Sequence, residues 1–118
     1  VEKELYNGNI KDLKQLGYPI KLDKERHIVF DLNAMANFQE RYGDFEKVFD
    51  AIVPEDGKMD IIELRYVLYQ GLIHEDENIT EKEVARMVTT RNITEVAGIL
   101  GDALVGALPE IEGDAEKN

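Results

Sequence analysis

Asp60-Ile61-Ile62-Glu63-Leu64-Arg65-Tyr66-Val67-Leu68-Tyr69-Gln70-Gly71-Leu72 reads as one helix, apolar on most of its sides. Asp60 and Glu63 have the spacing of an N-cap and its N3 partner, much like a capping box, which marks the start. Ile61, Ile62, Leu64, Tyr66, Val67, Leu68, Tyr69 and Leu72 leave little room for a solvated stripe. A helix of this kind is usually central and covered on several faces. The remaining segments are therefore expected to pack around it.

Upstream of this helix, Asn33 can cap a helix whose apolar face is Met35, Phe38 and Tyr42 and which ends at Gly43. Asp44 can cap a second, with Phe45, Val48, Phe49 and Ile52 on one face, stopped by Pro54 and Gly57. Residues 18–32 read as a β-hairpin. Tyr18, Ile20 and Leu22 alternate with Pro19 and Lys21, and Ile28, Phe30 and Leu32 alternate with Val29 and Asp31, around the polar turn Asp23-Lys24-Glu25-Arg26. Pro19 cannot donate to a ladder, which suits the start of an edge strand. A lone hairpin is marginal in water, so its apolar face must rest on helices.

Downstream, Thr80 and Glu83 repeat the capping-box spacing before Val84, Ala85, Met87 and Val88, predicting a helix over Thr80–Val88. Asn92 and Glu95 repeat it again before a last helix. Its apolar stripe is Ile93, Val96, Ala97, Leu100, Ala103, Leu104, Ala107 and Leu108. The expected fold is α+β and mostly α-helical, about five helices with a small N-terminal β-hairpin, in a single globular domain over 18–108. Before it lies an arm, 1–17, where Ile10, Leu13 and Leu16 allow a short helix ended by Gly17. After it lies an acidic tail, 109–118, which has almost nothing to bury and is expected to be disordered.

Composition narrows the function. The chain has 118 residues, enough for one domain, with 14 Lys and Arg against 25 Asp and Glu and a net charge of −11. The C-terminal half is the acidic one: residues 60–118 carry 5 cationic and 13 anionic side chains, residues 1–59 carry 9 and 12. That balance argues against nucleic acid, whose affinity rests on cations meeting phosphates, and against an anionic membrane surface. There is no cysteine and no serine, which removes disulfides, thiolate zinc sites and Ser or Cys nucleophiles. No apolar run approaches the ~20 residues that span a bilayer. The start shows no basic region followed by an apolar one, so no secretory leader and a cytoplasmic location are expected.

Few motifs could carry chemistry. Residues 50–63 resemble half of an EF-hand. With Gly57 at position 6, Asp56 falls at 5, Asp60 at 9 and Glu63 at 12, but Ile52 and Pro54 occupy positions 1 and 3, where oxygen ligands are needed. A helix stop, a turn and a cap explain the stretch better, and no metal is expected. Asn78-Ile79-Thr80 and Asn92-Ile93-Thr94 are glycosylation sequons better explained as helix caps. His74, among Glu75, Asp76 and Glu77, reads as part of a solvated loop, not as a base or metal ligand, and His27 has no evident partner. No carboxylate pair stands out among the acids, so no catalytic residue and no cofactor is predicted. Gly98, Gly101 and Gly106 fall inside the last helix, each costing ~1 kcal/mol against Ala if exposed. They permit close approach of another backbone, either within the fold or from a partner.

The order and spacing of several of these segments resemble the tail assembly chaperones of long-tailed bacteriophages and prophages. The likeness runs from Tyr18 to about Leu108. It takes in the hairpin, Asn33-Ala34-Met35, Tyr42-Gly43, the helix from Asp60, the Thr80–Val88 helix and the Asn92–Leu108 helix. Its most telling stretch is Leu68-Tyr69-Gln70-Gly71-Leu72-Ile73-His74-Glu75-Asp76, close to the helix-end GLxHED form of that family. The resemblance implies a non-enzymatic protein that transiently binds the tape measure protein, keeps this long helical chain soluble and helps recruit the tail-tube protein. It implies work in the bacterial host cytoplasm and absence from the mature virion, and leaves room for a homo-oligomer. Such a role needs apolar surface for a helical client, with high negative charge for solubility. The candidates for that surface are Tyr66 and Tyr69 on the central helix and Gly98, Gly101 and Val105 on the last, though each suits a core role as well. The alternative is a small acidic interaction module built on the degenerate EF-hand-like loop.

Overall fold

In a computed structural model, which describes residues 17–52 and 58–107, two strands and five helices follow one another along the chain. They are β1 (Tyr18–Lys21), β2 (Glu25–Ile28), α1 (Leu32–Tyr42), α2 (Glu46–Ile52), α3 (Ile61–Leu72), α4 (Glu81–Ala85) and α5 (Ile93–Gly106). The fold is α+β and mostly helical, with the hairpin ahead of the helices. The short helix expected over 10–16, the acidic tail over 109–118 and the centre of the EF-hand-like loop at 53–57 lie outside the described residues.

The hairpin is antiparallel and pairs Tyr18 with Ile28 and Lys21 with Glu25. Its second strand is thus Glu25–Ile28 and not Ile28–Leu32, a correction with a local cause. Arg26 is buried, and its guanidinium donates to both carboxylate oxygens of Asp23 at 2.7 and 2.9 Å. The bidentate pair draws Arg26 into the sheet and shortens the turn. Asp31 then caps α1, its carboxylate accepting from the Ala34 N–H at 2.9 Å, so Asp31 takes the place expected of Asn33. Leu32 becomes the first helical residue and faces solvent, whereas Phe30 still packs edge-on against Phe38 at 5.4 Å.

Local signals account for most of the other helix ends. Gly43 closes α1 with φ 80°, a conformation that favours glycine, and donates to Gln39 O at 2.8 Å. Asp60 accepts from the Glu63 N–H at 3.2 Å at the start of α3. Thr80 and Glu83 form the complete capping box. α4 nevertheless stops at Ala85 and does not run on to Val88. The capping box expected at Asn92 is absent: its side chain accepts from the Thr89 N–H at 2.8 Å and donates to Met87 O at 3.1 Å, shaping the turn before α5.

α3 is the central helix, as its composition predicts. Its Leu64, Val67, Leu68 and Leu72 are buried against Ile28 of the hairpin, Phe38 of α1, Val48 and Ile52 of α2, Val84 of α4, and Val96, Leu100 and Leu104 of α5. Its buried Gln70 is satisfied by the Asn37 amide of α1 at 3.0 Å.

Candidate functional site

The burial of α3 is incomplete at its N-terminal end. Ile61 and Ile62, in the first turn, are 64% and 60% exposed. Ile61 continues the row of Leu64, Leu68 and Leu72, which lie three and four residues apart on one face, past the point where the neighbouring helices cover it. Ile62 lies off that row. Both isoleucines line an apolar cleft of about 140 Å³. Leu64 and Leu68 of α3 and Val84 of α4 line it, with Ala85, Val88 and Ile93 from α4, the following turn and the start of α5. Arg65 is the one charged lining residue, and its Nε lies 3.6 Å from a carboxylate oxygen of Glu81, with both side chains well exposed. Such a surface offers burial to an aliphatic side chain, worth about 1.5–3 kcal/mol when complete, and little else.

None of the five residues predicted as a partner surface lines this cleft. Tyr66 is half-buried, ring against Phe38 and Tyr42 at 6.3 Å each, with the Arg41 guanidinium stacked 3.9 Å from its ring centre. Tyr69 is half-buried against the core. On α5, Gly98 and Val105 are exposed and Gly101 is intermediate, so that stripe faces outward at two of its three positions. The sequence does not show the cleft, because apolar residues on most sides of a helix do not say which turn its neighbours leave uncovered. The available signal was the Ile61-Ile62 pair in the capped first turn, where neighbouring helices have yet to close over the row.

The Gly71–Asp76 stretch is a joint between α3 and the hairpin. The Val29 N–H donates to Gly71 O at 3.1 Å. His74 Nε2 lies 2.7 Å from His27 O, and since a carbonyl only accepts, this ring nitrogen is the donor. His74 Nδ1 is buried and without a hydrogen-bond partner among the described residues. Glu75, its side chain 10% exposed, accepts from the His27 N–H at 3.4 Å and lies 3.1 Å from His27 Nδ1. His74 is thus not in a solvated loop, and His27 is not without a partner.

Two would-be ligands of the EF-hand-like loop are engaged elsewhere. Asp60 caps α3. Glu63 accepts from Arg41 at 2.9 and 3.1 Å and from the Tyr42 hydroxyl at 2.5 Å. The Arg41 hydrogen bonds, with help from Tyr42, hold the Glu63 carboxyl below the usual carboxylate range. Burial and the bond to Glu63 push the Tyr42 hydroxyl well above its ordinary value. Among the described residues no group of three or more His, Asp or Glu side chains is placed to hold a metal, and no helix is long and apolar enough to cross a membrane. No protein-family model, curated protein or solved structure matches this chain.

Proposed function

We propose that this chain is a tail assembly chaperone of a tailed bacteriophage or prophage, a non-enzymatic protein that transiently holds the tape measure protein. It keeps that helical chain soluble and helps recruit tail-tube subunits in the bacterial host cytoplasm, and it leaves before the virion is complete. The observation that carries the reading is a solvent-facing apolar cleft, lined in part by the exposed Ile61 and Ile62, on a chain of net charge −11. Exposed apolar surface invites self-association, and net charge opposes it. A surface formed by helices and lined by aliphatic side chains suits helix-in-groove binding. The motif resemblance from Tyr18 to Leu108 supports the choice of client.

Co-expression of the tagged chain with tape measure and tail-tube proteins from the same phage tests the proposal. The tape measure protein should stay soluble and co-purify, and should precipitate without the chaperone. A tape measure protein that is equally soluble without this chain and is not retained by it would refute the assignment.

A further inference from the structure

We infer that the cleft lined by Ile61 and Ile62 is a self-association surface, where two copies of this chain meet about a two-fold axis and each covers the other's exposed isoleucines. The inference goes beyond the chaperone reading and does not rest on it.

Charge singles out the second copy. With a net charge of −11, two copies repel one another from most directions. This face is the exception. Residues 61–72 and 81–96 supply every lining residue, and they carry four cationic side chains, Arg65, Lys82, Arg86 and Arg91, against four anionic ones. The excess of acid therefore lies elsewhere in the chain, and a like-charged copy meets no net charge here. A face without net charge favours neither a basic nor an acidic partner. It does complement itself, because it holds both signs. Arg65 lines the cleft, and a Glu81 carboxylate oxygen lies 3.6 Å from its Nε in an exposed pair that contributes little within one chain. About a two-fold axis, Arg65 of each copy is free to face a carboxylate of the other.

Shape fits the same symmetry. An isologous interface joins one patch to itself, so that patch must hold both a recess and something to fill it. The floor of the cleft, Leu64, Leu68 and Val84, is buried, whereas Ile61 and Ile62 on its wall are more than half exposed. An isoleucine of each copy thus has a recess in the other, and removal of these side chains from water drives the contact. A volume of about 140 Å³ suits a side chain and is well below the ~300–1,000 Å³ of sites that enclose small molecules. Nine residues line the cleft, against roughly 20–30 on each side of a stable interface, so the dimer is weak and reversible. The two-fold contact uses the patch on both copies, so association stops at two.

Sedimentation equilibrium of the full chain from about 10 µM to about 1 mM tests the inference. A monomer–dimer equilibrium should appear, with no larger species. It should strengthen as salt rises from about 0.05 to about 0.5 M, because salt screens the repulsion between the two acidic chains. Amide NMR shifts that grow with concentration should centre on Ile62, Leu64, Val84 and Ile93. The double variant Ile61→Asn with Ile62→Asn, at exposed positions, should keep the melting curve of the dilute monomer and lose at least about tenfold in dimer affinity. A monomer at every concentration, growth past the dimer, association that weakens with salt, shifts centred away from the cleft, or an equally tight dimer in the double variant would each overturn the inference. Co-purification with the tape measure protein separates the two claims. If the chain dimerises as expected and does not retain that protein, the self-association stands and the chaperone reading falls. If the chain retains it and is a monomer at every concentration, the chaperone reading stands and the self-association falls.

Discussion

A Cβ placed on Gly71 would lie 2.8 Å from Ile28 Cγ2 and 3.1 Å from Phe30 Cε1. Ile28 is buried and cannot step aside, so the hairpin is seated on α3 through the absence of a side chain. Gly71→Ala should destabilise the fold by about 1–3 kcal/mol, read as a lower urea midpoint. Gly98 is the opposite case: a Cβ there meets nothing within 4 Å among the described residues. Gly98→Ala should raise stability by about 1 kcal/mol through helix propensity alone, measured by thermal melting. If Gly98 also serves a client, that stabilised variant will bind the client less well, a split that a purely structural glycine would not show. Two glycines of similar appearance in the sequence thus have different physical reasons. Only the packing against Ile28 tells them apart.

Among elements, the junction between α1 and α3 is polar. Arg41 and Tyr42, at the end of α1, converge on Glu63 in the first turn of α3. In the hairpin, the hydrogen bonds from Arg26 hold Asp23 at about 2. Both carboxylates have folded values below their unfolded ones, so their stabilisation is complete above the unfolded range near pH ~4. It is lost as pH falls through the depressed values. The urea midpoint should fall on acidification from about pH 6 to about pH 3, and Glu63→Gln should lower it at pH ~6 while flattening that decline. What was legible in the sequence follows from this division. Caps such as Asp60 and Thr80 act over three residues and can be read directly. The extent of β2 depended on Arg26 bonding Asp23, a choice that alternation does not record. The joint of His27 with His74 and Glu75 joins residues 47 and 48 positions apart, beyond the reach of any local pattern.

At the scale of the whole molecule, the central helix and the fold class were legible because apolar periodicity sums over many residues, whereas the cleft depends on where α4 stops. The calcium alternative also belongs here, because an ion at residues 50–63 would have to take Glu63 from Arg41 and Tyr42. Calcium at about millimolar concentration should leave the melting temperature unchanged, and a rise would restore that loop as a binding site. A Cβ on Gly106 would run into the Tyr18 hydroxyl, so the last turn of α5 lies within one tyrosine side chain of β1. Ile93, at the other end of α5, lines the cleft some 20 Å away by helical rise. The described residues therefore begin and end at one place, far from the cleft. A circular permutant that joins residue 107 to residue 17 through a flexible linker and opens at the exposed Glu77 should fold to the same core with its cleft intact.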